Sequence, residues 1–139
     1  MTIPSEYRVA AEVFEKFLVD AREESGLATR NQVYTMVEGV LRTFRRRLDV
    51  KEALRFADVL PPLLRALFVS DWDVDELKRP FDAREAMSKE VQTLRIDHNF
   101  APYTAIHDVA TALRRNIDED ALDRVLATLP DGAREFWRV

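Results

Sequence analysis

Two stretches decide the fold when laid one over the other: YTMVEGVLRTFRRRLDVKEALRFADVLPPLLRALF, residues 34–68, and YTAIHDVATALRRNIDEDALDRVLATLPDGAREFW, residues 103–137. A shift of 130 − 61 = 69 brings Pro61 onto Pro130, and no gap is needed across the whole window. Ten of the 35 positions are identical: Tyr34/Tyr103, Thr35/Thr104, Val40/Val109, Arg45/Arg114, Arg46/Arg115, Asp49/Asp118, Arg55/Arg124, Leu60/Leu129, Pro61/Pro130 and Arg65/Arg134. Apolar positions also exchange in kind, as in Val37/Ile106, Phe44/Leu113 and Phe68/Trp137. A duplicated helical unit explains this density of matches. Upstream of Tyr34 the register slips by about one residue.

Within each copy the apolar period is helical. Val9, Val13 and Phe17 step by four, with Phe14 and Leu18 beside them, and Gly26 is the expected stop because it tolerates left-handed backbone. Thr29 with Gln32, and Asp49 with Glu52, have the spacing of capping boxes. The helices they open carry Val33, Val37, Val40, Leu41 and Phe44, then Ala53, Phe56, Ala57 and Leu60. Pro61-Pro62 breaks the second, since neither ring nitrogen can donate. A short helix with Leu63, Leu64, Leu67 and Phe68 follows. In the second copy Asp82 with Glu85 is expected to open a helix bearing Met87, Val91 and Leu94. Pro102 suits the first turn of the next, Asp118 precedes a third, and Pro130 ends it.

The expected architecture is therefore all-α, with two pseudo-symmetric units of about four helices each packed into one compact bundle. Residues 1–70 form the first unit, 71–81 a linker and 82–139 the second. At 139 residues the chain is one domain in size, and neither half alone has material for a comfortable core.

Composition narrows the function classes. Hydrophobic residues make up 47%, charged residues 33%, and only three glycines interrupt the chain, a balance that favours helices. There is no cysteine, which removes disulfides, thiol nucleophiles and thiolate metal sites. No apolar run approaches a membrane span, and the start MTIPSEYRVAAEVFEKF lacks the pattern of a signal peptide, so a soluble cytoplasmic protein is expected. Residues 1–70 carry 11 Lys/Arg against 10 Asp/Glu, whereas residues 71–139 carry 10 against 15. An acidic second half is a poor match for phosphate backbones, so a nucleic-acid partner is not expected.

The stretch ATRNQVYTMVEGVLRTFRRRLDVKEALRFADVLPPLLRALFVSDWD, residues 28–73, resembles the bacterial and archaeal family called domain of unknown function 2267. The features that carry the resemblance are Thr29-Arg30, the Val- and Leu-rich helix from Val33 to Phe44, and Leu48 with Glu52-Ala53. Leu60-Pro61, Leu63-Leu64-Arg65 and the linker pair Trp72-Asp73 complete the series. The family's internal duplication matches as well. Asp71 departs from it, standing where the family tends to have glycine, and so does the polar run EAMSKEVQTLRIDHN, residues 85–99. The resemblance implies a two-unit helical fold; it carries no activity, cofactor or catalytic residue to transfer.

Four sets of residues invite chemistry. Asp71, Asp73, Asp75 and Asp82 fall at positions 1, 3, 5 and 12 of a calcium loop, but position 6 is Glu76 where such a loop needs glycine, and Lys78 and Arg79 would oppose a cation. The competing reading makes Asp82 a helix cap and the others solvated linker acids. In RTFRRR, Arg45, Arg46 and Arg47 with Arg42 offer an anion contact, against a simpler role offsetting the negative end of the helix dipole. His98 and His107, with Asp97 and Asp108 beside them, have no metal-ligand spacing and read as surface or capping residues. Trp72 and Trp137 read as packing anchors, Trp137 in the core and Trp72 at the seam between units. No phosphate loop or nucleophile elbow is present, and no cofactor is expected.

The leading functional expectation is a non-catalytic protein-interaction module or small adaptor, open to homodimer formation. Its expected surface is Tyr7, Phe14, Phe17 and Leu18 on the N-terminal helix, whose apolar residues exceed one packing face. The alternative is a carrier or sensor of a small apolar ligand held between the two units.

Overall fold

The computed structural model describes residues 2–139, and among them every regular element is helical. The helices are α1 (Ser5–Arg8), α2 (Ala10–Ser25), α3 (Arg30–Arg45), α4 (Val50–Ala57), α5 (Pro62–Val69), α6 (Arg84–Val91), α7 (Ala105–Asn116), α8 (Glu119–Leu126) and α9 (Ala133–Phe136). A 3-10 turn spans Ile96–His98. The all-α expectation holds.

Local chemistry sets most helix ends. Gly26 takes φ 73° beyond α2, a left-handed cap that costs glycine nothing sterically. Thr29 and Asp49 both close full capping boxes, with Gln32 and Glu52 reaching back to the cap amides. Arg65 then covers the carbonyls that end α4, donating to Ala57 and Leu60 at 3.1 Å each, while Pro62 starts α5 where a missing N–H is harmless. Asp118 caps α8 by accepting from Ala121 N at 3.1 Å.

The start of the 82–139 segment departs from expectation. Asp82 accepts from the adjacent Ala83 N at 2.7 Å rather than from a helix amide, and α6 starts at Arg84 with no side-chain cap. The helix stops at Val91, so Leu94 falls outside it and is only half-buried. The polar run leaves too little apolar face to extend the helix further.

α2 packs most extensively on α7, and α3 crosses α6. On α2 the buried stripe is Phe17, Leu18 and Ala21, with Val9 exposed at its outer end. α7 buries several small residues, Ala105, Ala110 and Ala112 among them, which keeps the backbones packed on it close. At the α3–α6 crossing Gly39 does the same: a Cβ there would stand 2.9 Å from Val91 O.

Below these crossings lies an aromatic core. Phe44 meets Phe56, Phe136 and Trp137 at ring separations of 4.7, 4.9 and 5.4 Å, and Phe56 stacks on Trp137 at 5.5 Å. The C-terminal pair Phe136-Trp137 is thus buried among α3 and α4, far away in sequence. Gly132, at φ 101°, opens α9 with Phe81 pressed against its missing Cβ.

Candidate functional site

The arginine cluster at the end of α3 is the densest group of charges, and it is occupied by the fold. Arg45 is only 5% exposed. It donates to Phe68 O and Ser70 O at 2.9 Å each and lies 5.2 Å over the Trp72 ring. Burial first, then Arg42 and Arg46, pull its pKa down to about 10, which still leaves it charged at neutral pH. Arg47 is equally buried and donates to Thr43 O and Pro80 O. Its guanidinium also grips Glu90 through two contacts of 2.5 and 3.1 Å. Arg46 lies 3.5 Å from both Glu76 and Glu90, and Arg79 adds a third bond to Glu90 at 2.8 Å.

Burial alone would raise the Glu90 carboxyl, but the bonds and charges of Arg47 and Arg79 prevail and hold it below the ordinary glutamate value. The anion contact expected of Arg45, Arg46 and Arg47 is met within the fold: Arg45 serves backbone carbonyls, Arg46 pairs with Glu76 and Glu90, and Arg47 holds Glu90 and two carbonyls. The unit ties the end of α3 to the 71–81 segment and α6. Arg114 repeats the first of these contacts, donating to Trp137 O at 2.9 Å.

The acidic segment does not gather its carboxylates. Asp71 pairs weakly with Arg42 at 3.4 Å, Asp73 accepts from Asp75 N at 3.0 Å, and Asp82 serves Ala83 N. Among the described residues no three His, Asp or Glu side chains form a group able to hold a metal, so the calcium-loop reading of Asp71, Asp73, Asp75 and Asp82 has no geometric basis. Asp71 adopts φ 49°, a left-handed conformation that glycine takes more readily. Trp72 is half-buried against the core edge, and Trp137 is fully buried. His98 and His107 are exposed, on separate elements.

The N-terminal apolar set also needs correction. Phe17 and Leu18 belong to the core, where α2 meets α7, and Phe14 is half-buried beside them. Of the four residues expected to form a surface, Tyr7 alone is exposed.

Three exposed apolar side chains lie instead in the connection from Gln92 to Thr104. Ile96, Phe100 and Tyr103 are 69%, 60% and 74% exposed there. The connection is nevertheless held from within. Asn99 Nδ2 donates to Val91 O at 2.9 Å and Leu94 O at 2.8 Å, and Asn99 Oδ1 accepts from Ala101 N at 2.9 Å. Gln92 Nε2 closes the loop onto Ala101 O at 2.8 Å. Arg95, at φ 50°, turns the chain before the 3-10 segment. Loops stapled in this way hold side chains in place, and three apolar groups set out to water on such a scaffold have the makings of a contact surface. Nothing in the sequence period marks it, because the loop interrupts every helical stripe.

Beyond the geometry, the family model described as "Uncharacterized conserved protein (DUF2267)" matches residues 14–136. No curated protein matches the chain.

Proposed function

The chain belongs to that family of uncharacterised conserved proteins, the domain of unknown function 2267, and from this premise we propose that it is a non-catalytic protein-interaction module. Its contact surface is the Gln92–Thr104 loop. The observation that carries the reading is the exposure of Ile96, Phe100 and Tyr103 on a loop fixed by Asn99 and Gln92. Apolar side chains in a preformed arrangement lose little entropy on docking, and aromatic anchors dominate such contacts. The occupant we propose is a groove on another protein; self-association is a separate outcome of the test. The module acts in the cytoplasm, and among the described residues no helix is long and apolar enough to cross a membrane.

We further propose that the fold arose by duplication. The supporting facts are pairs 69 residues apart: α4 starts at 50 and α8 at 119, Arg45 donates to Phe68 O and Arg114 to Trp137 O. The packing of α2 on α7 and of α6 on α3 fits two copies that exchange their first helices. A place for the alternative, an apolar-ligand carrier, is a cleft of about 410 Å³ where α4 meets α8, walled by Val59 and Val125 and edged by Arg55 and Arg124.

The test is site-specific photo-cross-linking in cells with the reactive group at position 100. A discrete adduct that Ile96→Asp abolishes and Leu77→Asp leaves intact supports the loop as the surface. If Leu77→Asp removes the adduct equally, or none forms at any position from 96 to 103 while the purified chain stays monomeric in light scattering, the reading fails.

A further inference from the structure

A cleft of about 450 Å³ lies between α6 and the first turn of α7, lined by Arg84, Glu85, Ser88 and Lys89 on one side and by Tyr103, Thr104, Ile106 and His107 on the other. We propose that this cleft binds a small molecule bearing a phosphate or carboxylate group, with the anion at the start of α7 and an aromatic or apolar body against the Tyr103 ring. This site goes beyond the interaction surface, with which it shares Tyr103, and requires no protein partner.

Two independent features converge there. The first is the helix start. α7 is twelve residues long, and its flanking Thr104 does not cap it: the Thr104 hydroxyl donates to Asp108 Oδ2 at 2.7 Å. The amides of Ala105 and Asp108 bond to Pro102 O and Thr104 O, whereas those of Ile106 and His107 have no acceptor among the described residues. Unpaired amides at the positive end of a helix dipole favour an anion.

The second feature is a serine hydroxyl at the cleft wall without a protein acceptor. Ser88 is 2% exposed, lines the cleft, and its hydroxyl makes no hydrogen bond among the described residues. Arg84 spends one nitrogen on the carbonyls of Glu135 and Phe136 at 2.9 Å and of Arg138. Its Nε is buried and has no partner. Buried donors are almost always satisfied, so the Ser88 hydroxyl, which opens on the cleft without a protein acceptor, points to a missing one; the Arg84 Nε is sealed behind it. Lys89 stands at the rim without an ion pair among the described residues.

Opposing charge is present and limited. Glu85 is exposed at the rim, where water screens it. Asp108 is buried behind Thr104, whose hydroxyl engages its carboxylate at 2.7 Å, and burial raises that carboxyl above the ordinary aspartate value.

The experiment is an amide-resolved NMR titration of the full chain with phenyl phosphate, benzoate, inorganic phosphate and neutral benzamide. Phenyl phosphate or benzoate should shift the Ser88, Ile106 and His107 amides saturably, and whichever of the two binds tighter identifies the anion. Inorganic phosphate should bind more weakly, and benzamide should leave these amides unmoved. Ser88→Ala and Lys89→Gln, which remove one donor and one charge, should each weaken the better ligand by roughly ten-fold while the remaining spectrum is unchanged. Equal shifts with benzamide, undiminished affinity in both variants, or no saturable shift at Ile106 and His107 would overturn the assignment.

Discussion

Gly39 shows how closely a single residue can be fixed by its neighbours. A Cβ at this position would lie 2.9 Å from Val91 O and 3.1 Å from Val91 Cγ1, and a carbonyl cannot rotate away as a side chain can. Alanine would add roughly 1 kcal/mol of helix propensity, but overpacking costs about 1–3 kcal/mol. Packing wins this balance, and Gly39→Ala should lower the urea midpoint. Two acids make opposite predictions at the same scale. Glu90 has a folded pKa below its ordinary 4.5, so its contribution is complete above that value and is lost as pH falls through the lowered one. Asp108 has a folded pKa above its ordinary 3.8, mainly from burial; its contribution is complete below that value and is lost as pH rises through the raised one. At pH 7 Glu90→Gln should therefore destabilise by about 1–3 kcal/mol, since Arg47 loses a charged acceptor. Asp108→Asn, which keeps an acceptor for Thr104, should stabilise. Denaturant midpoints at pH 7 and pH 4 check both signs, with the two differences shrinking at the lower pH.

Among elements, the Gln92–Thr104 loop depends on one side chain. Asn99 makes two bonds to the loop backbone and one to the end of α6, and an unsatisfied buried group costs about 1–3 kcal/mol. Asn99→Ala should speed limited proteolysis between residues 92 and 104 while the unfolding midpoint falls only slightly, because the loop is not part of the main core. The same comparison explains what the sequence made legible. The boxes at Thr29 and Asp49 are visible in advance because both partners lie within one turn and compete with nothing else. The equivalent spacing at Asp82 and Glu85 misleads, since the Asp82 carboxylate is taken by the next amide along the chain. Asn99 is invisible for another reason. A lone amide in a polar run looks the same whether it faces water or closes a loop. The arginines of α3 misled in the same way: their acceptors are Glu90, 43 residues from Arg47, and carbonyls that become available only once the chain has folded.

At the level of the whole molecule, stripes of apolar residues were readable, but not which stripe meets which. Period alone places Phe17 and Leu18 on one face of a helix and leaves open whether that face is surface or core; the meeting of α2 with α7 settles it. Phe136 and Trp137, at the far end of the sequence, complete the ring cluster around Phe44 and Phe56. Helices drawn from the whole length of the chain therefore share one core, and they hold an apolar loop away from it. The functional proposal requires that loop to be ordered before any partner arrives, because a mobile segment would not present Ile96, Phe100 and Tyr103 together. Residue-resolved hydrogen exchange on the isolated chain tests this most directly. The slowest amides should lie in α2, α3 and α7, and the Ala101 amide, bonded to Asn99, should be clearly protected. Exchange of Ala101 at the rate of a free peptide, with the core helices still protected, would contradict a preformed surface and with it the proposed function.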